Sequence, residues 1–108
     1  MTITKHILLE GKKSVNGLEV SHNLGHMNWH EAIVACKKLG AGWRLPTKDE
    51  LNMIYKNREE VGGFASNFYW SSTELDVNFA WSQFFFNGFQ NFFSNKLSTG
   101  YVRAVRAS

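Results

Sequence analysis

Apolar and polar positions change rhythm twice along the chain. Thr2 to Leu9 reads as a strand ending at Gly11. Asn16-Gly17, set between Ser14-Val15 and Leu18-Glu19-Val20, is a two-residue hairpin signal, because both central positions of such a turn need positive φ. The period then becomes helical. Asn28 with Glu31 forms a capping box, and Trp29, Ala32, Ile33, Cys36 and Leu39 fall on one stripe that Gly40 stops. Thr47 with Glu50 forms a second capping box after Pro46. There Leu51, Ile54 and Tyr55 make the buried face, and Gly62-Gly63 ends the helix after a polar run. From Phe64 no helical period remains, and Phe68–Ser72, Ala80–Phe86 and Tyr101–Ala107 read as strands. The order β, two helices, β predicts an α+β domain with two helices packed on antiparallel sheet. At 108 residues the chain is one domain, with a helical scaffold over 1–67 and a β-rich part over 68–108.

Composition changes this picture only through the rings. Seven of the nine phenylalanines lie between Phe79 and Phe93, interleaved with Asn, Gln, Ser and Gly, more rings than so small a domain can bury. Strand alternation puts Trp81, Gln83 and Phe85 on one face and Ser82, Phe84 and Phe86 on the other. With Trp81 and Phe85 inward, Phe84, Phe86, Phe89, Phe92 and Phe93 become candidates for an outer aromatic surface. Contiguous exposed apolar patches mark binding or oligomer surfaces. The bland alternative is that some of these rings close a second small core.

Charge argues against several functions. Residues 1–76 carry nine basic and nine acidic side chains, and beyond Asp76 only Lys96, Arg103 and Arg106 are charged. Three cations in over thirty residues are too few for a nucleic-acid surface. No run approaches the roughly 18 apolar residues of a membrane span, and no signal-peptide core is present. His22, His26 and His30 are spaced at four, but Asn23, Gly25 and the Asn28 cap break any helix there, so no zinc site is expected. Calcium prefers several oxygen ligands with carboxylates among them, and the acids vanish after Asp76, so no calcium or other cofactor is expected. Cys36 is alone on a core stripe and reads as a small buried hydrophobe; with no acid pair or nucleophilic triad, the chain reads as a non-enzyme.

The segments MNWHEAIVAC, GWRLPTKDEL, FYWSSTE, AW-x-Q-x-F-x-x-G and YVRAVR occur in that order, within a likeness that covers roughly residues 15–107. Together they resemble a bacterial and phage family of C-type-lectin-like domains with WRLPT, YWSST and VRAVR signatures. The chain is most similar to the variable proteins of diversity-generating retroelements, and more distantly to the phage major tropism determinant. The resemblance implies a ligand-binding module on a virion or cell surface, facing a protein or other large ligand such as a host receptor. It also implies a surface rewritten at asparagine codons. Altered at both adenines, those codons encode Phe, Ser, Leu, Gly and Tyr, but never Gln or Lys. Ser82, Phe84, Phe86, Phe89, Phe92, Phe93, Leu97, Ser98 and Tyr101 fit that set and are expected to form one ligand-contacting patch; Ser94 and Gly100 also fit. Gln83, Gln90 and Lys96 do not, and should be constant. Trp43, Leu45, Tyr69, Trp70 and Trp81 would be core, Ser71 to Thr73 would turn the chain out of its strand, and Arg44 would pair locally. Arg103 and Arg106 would pair with acids such as Glu74. The alternative is a constant interaction domain of the same fold, docking its Phe-rich face on its own partner subunit.

Overall fold

The structure is a computed structural model and describes residues 13–107; the strand expected over residues 2–9 lies outside them. Strands β1 (Lys13–Val15) and β2 (Leu18–Met27) are joined by the Asn16-Gly17 turn, with φ of 48° and 81° at its two residues. Helices α1 (Trp29–Lys37), α2 (Lys48–Lys56) and the short α3 (Arg58–Val61) follow. Then come β3 (Phe68–Glu74), β4 (Phe79–Phe84), β5 (Gln90–Asn95) and β6 (Gly100–Ala107). One sheet in the order β1-β2-β6-β3-β4-β5 holds all six strands. Its neighbours are antiparallel except for β3 with β6, which run parallel and meet at Tyr69 and Tyr101.

Both capping boxes form. Asn28 and Thr47 each accept the N–H three residues on, while Glu31 and Glu50 reach back to the cap N–H. Helix α1 ends at Lys37, sooner than its apolar stripe suggests, so Leu39 surfaces in the following turn. Helix α2 does not run on to Gly62. Asn57 leaves helical geometry, and its amide donates to the Met53 carbonyl, the local competition that makes Asn a helix breaker.

Successive residues of a strand point to opposite faces, and β3 uses both. Trp70 joins Trp29, Ala32, Cys36, Val102 and Ala104 in a core beneath α1. Tyr69 joins Leu51, Ile54, Phe85 and Val105 in a second core beneath α2. The segment Trp43–Pro46 knits these layers where β3 and β6 part. Arg44 exchanges backbone hydrogen bonds with Val105, and the Pro46 carbonyl accepts the Ser72 N–H. Ser71 to Thr73 do not leave the sheet as expected. They make a bulge within β3, where Ser71 Oγ donates to the Trp81 carbonyl and Thr73 Oγ1 accepts the first N–H of α2, from Lys48.

Arg44 is half exposed and holds Glu50 with two hydrogen bonds of 2.7 and 2.9 Å. That guanidinium keeps the Glu50 carboxyl below the usual carboxylate range. A depressed carboxylate contributes stability that is present above its unfolded pKa and lost as pH falls through the folded one. Acid melting curves below about pH 4.3 should therefore fall less steeply for Glu50→Gln than for the parent. The difference should not exceed about 1 kcal/mol for so accessible a pair.

Candidate ligand-binding surface

The β4–β5 hairpin carries the rings, and buried polar side chains hold it to the scaffold. Gln83 is fully buried and donates to the Asn52 side chain of α2 and to the Gly88 carbonyl, both at 3.0 Å. Gln90 donates to the Lys48 carbonyl at 2.8 Å and to Gln83 Oε1. Gly88 turns the hairpin with φ of 84°, and a Cβ there would lie 2.5 Å from the Tyr55 ring, so only glycine fits. Phe85 stacks among Tyr55, Phe64 and Tyr69 in the α2 core. The AW-x-Q-x-F-x-x-G motif is thus a set of anchors that leaves the residues between them free.

The exposed rings begin with Phe86, between the last two anchors, and continue beyond the motif. Phe86, Phe89, Phe92 and Phe93 are 60, 58, 42 and 57 % exposed, and Leu97 is 79 % exposed. Phe84 is half-buried between Phe68, Phe86 and Phe89. Strand β5 slips register against β4, so that Phe92 and Phe93 both fall opposite Trp81, a bulge that turns two adjacent rings outward. They meet at 4.6 Å, with Phe79 and Trp81 against them at 5.2 and 5.7 Å. Between the two ring groups lies a depression of about 260 Å³ lined by Phe68, Phe84, Phe93, Asn91, Asn95 and Ser98. No Asp, Glu, Lys, Arg or His occurs from Ser82 through Asn95, so the hairpin itself contributes no charge to the face, and Lys48 lies at its edge over Trp81.

Three expectations change here. Ser82 is not an exposed contact; it is 1 % exposed, lies with Ser94 at the floor of that depression and shares a 2.6 Å hydrogen bond with it across the strand pair. Tyr101 is half-buried on the α2 side of the sheet, against Tyr69 and His26, away from Phe84 and Ser98. Trp81 is only partly buried, lying under the Lys48 ammonium at 5.0 Å rather than in either core. Gly100, another residue that a rewritten codon would supply, is buried; a Cβ there would meet Phe68 at 2.5 Å and Trp70 at 2.9 Å. Val77, 80 % exposed, joins Leu97 around a neighbouring hollow that sequence reasoning missed. Its signal was an apolar residue in the turn after Asp76, with no strand neighbour to cover it.

The cations serve the scaffold, and Glu74 goes to Lys96 rather than to either arginine of β6. Lys96, 4 % exposed, takes Glu74 at 2.5 Å, donates to the Val77 carbonyl and lies 4.3 Å over the Trp29 ring. Arg103 donates to the carbonyls of Ser21 and Gly62 and stacks on Phe64; burial pushes its pKa down. Arg106 pairs with Glu19 over Trp43. Burial pushes the Cys36 thiol up to about 12, which leaves it protonated and inert. His22 and His26 lie on β2 and His30 on α1, all exposed, and no three metal-binding side chains converge among the described residues. Among those residues no helix is long and apolar enough to cross a membrane.

The sheet, its two flanking helices and the long hairpin define a C-type-lectin-like domain. A chain of the botrocetin crystal structure superposes with a TM-score of 0.67 at 13% identity, covering 91% of this chain and 96% of that one. A chain of the complex between a von Willebrand factor mutant A1 domain and botrocetin gives 0.64 at 10% identity, covering 92% and 98%. No curated protein matches in sequence. The chain belongs to the Lcl C-terminal domain family, which matches residues 10–106, and the resemblance drawn from its motifs stands on that match and this fold.

Proposed function

We propose that this chain is a non-catalytic binding module that grips a protein ligand with the uncharged aromatic face of its β4–β5 hairpin. The face is diversified by a retroelement and is carried on a virion or cell surface to recognise a host receptor. The observation that carries this reading is the exposure of Phe86, Phe89, Phe92, Phe93 and Leu97 on a hairpin whose anchors are other residues. A few aromatic anchors usually carry most of an interface's energy. A hairpin without charged side chains offers them with little desolvation cost. The solved complex of botrocetin with an A1 domain supports a protein as ligand for this fold. Gln83, Gln90 and Lys96, the residues that rewritten asparagine codons cannot supply, are those tied into the scaffold. The constant-domain alternative draws support from Ser82, Ser94 and Gly100, which are buried although their types fit rewritten codons.

Sequencing the locus across a population decides between the two. Diversification predicts a nearby reverse transcriptase and a near-copy of the 3′ end with adenines at the codons for 84, 86, 89, 92, 93, 97 and 98. Codons 83, 90 and 96 should be constant. A locus lacking the near-copy, with all these codons fixed, would overturn it. For the binding reading, a displayed library randomised at 86, 89, 92, 93, 97 and 98 should yield binders to an immobilised folded protein. A well-folded library without binders would count against the face.

A further inference from the structure

The hairpin repeats one small device three times at a spacing of four. Asn87 Oδ1 accepts the N–H of Phe89 at 2.9 Å, Asn91 Oδ1 that of Phe93 at 3.0 Å, and Asn95 Oδ1 that of Leu97 at 2.9 Å. Each served residue is an apolar side chain turned to solvent, at 58, 57 and 79 % exposure. Each asparagine also sits where the chain departs from a regular ladder. Asn87 precedes the Gly88 turn, Asn91 opens the bulge opposite Trp81, and Asn95 starts the turn closed by the Ser98 N–H on its own carbonyl. An asparagine side chain that bonds the backbone two residues on imitates a turn and fixes the chain direction there. Phe93 leans on Phe79 and Phe92, and Phe89 on Phe84, but each keeps more than half of its surface in solvent, so the backbone beneath shares in setting its direction.

We propose that Asn87, Asn91 and Asn95 are the positioning residues of the binding face, holding Phe89, Phe93 and Leu97 in preset directions before a ligand arrives. This rests on the reading of the hairpin as a binding surface and adds which of its residues must not vary freely. A preset side chain loses less freedom on binding than a loose one, which favours affinity without any new contact. The proposal also divides the asparagine codons in two. When the codons at 87, 91 and 95 are rewritten, only Asp, Ser or Thr keep an oxygen able to accept the N–H, so selection for binding should hold Asn or one of these three there while the apolar positions they serve vary widely.

The test is amide hydrogen exchange by NMR on the parent chain and on Asn91→Ala and Asn91→Asp, with the same pair at Asn87 and Asn95. In the parent, the amides of Phe89, Phe93 and Leu97 should exchange slowly for exposed residues. Each Ala variant should speed exchange of the one amide it serves by about three- to tenfold, the value of one net hydrogen bond. Its melting midpoint should fall by only about 3–8 °C, the shift such a loss produces in a domain of this size, and the Asp variant should restore protection. Unchanged exchange at Phe93 in Asn91→Ala, or failure of Asp to rescue, would overturn the proposal. A locus without a template repeat would instead sink diversification and leave this result standing.

Discussion

Replacing Trp70 by alanine should destabilise the domain by about 3–5 kcal/mol, the usual cost of emptying a buried large aromatic site. Trp70 has no exposed surface, sits at the centre of the α1 core, and donates its indole N–H to the Met27 carbonyl at 3.0 Å. Truncation leaves a cavity among Trp29, Cys36 and Val102 and strips that carbonyl of a partner. Small domains hold about 5–15 kcal/mol in all, so a urea titration should find Trp70→Ala with a large share of its margin gone. Trp81→Ala should lose only about 1–2 kcal/mol, since Trp81 lies at the rim under Lys48 with one side open. Equal losses at the two tryptophans would show that the layer assignment is wrong.

The second large effect belongs to Lys96. Its ammonium is enclosed, yet its partner Glu74 is 53 % exposed, and that asymmetry sets the magnitude. Breaking a fully buried pair typically costs 3–5 kcal/mol because the remaining charge stays buried. Here Glu74 rehydrates, so Lys96→Ala should cost about 2–3 kcal/mol. That loss combines the Val77 carbonyl bond, the contact over Trp29 and the packed stem. Chemical denaturation measures it. A loss below about 0.5 kcal/mol, typical of a surface ion pair, would mean that Lys96 is no anchor of the loops around the face.

What could be read from the residues alone was what is local. The two capping boxes and the Asn16-Gly17 turn are decided by neighbours three or fewer positions away, and all three form. Strand alternation placed Gln83 and Phe85 on the inner face correctly, but it says nothing about depth. Trp81 shares their face and still lies at the rim, because β4 runs out from under α2. Strand β5 was invisible for a related reason. It is an edge strand with a bulge, so its rings do not alternate, and without it the partner that buries Ser82 could not be seen. The far end of β2, Ser21 to Met27, was missed as well. Two register slips against β6 break its period, and its histidines and asparagine face solvent. Long-range ion pairs were likewise illegible: Glu74 went to Lys96, not to Arg103, a choice made by the folded chain.

The central claim is that the exposed rings of the hairpin belong to a partner and not to the fold. The thermal melt of the chain carrying Phe86→Asn, Phe89→Asn, Phe92→Asn and Phe93→Asn together tests it most directly. Phe84 is left in place because it packs against Phe68. Followed by circular dichroism, the fourfold variant should keep the parent's spectrum and a melting midpoint within about 5 °C, the shift that roughly 1 kcal/mol produces in a domain of this size. A variant that is unfolded, or that melts some 15 °C or more below the parent, would show that the rings are core and would contradict the account.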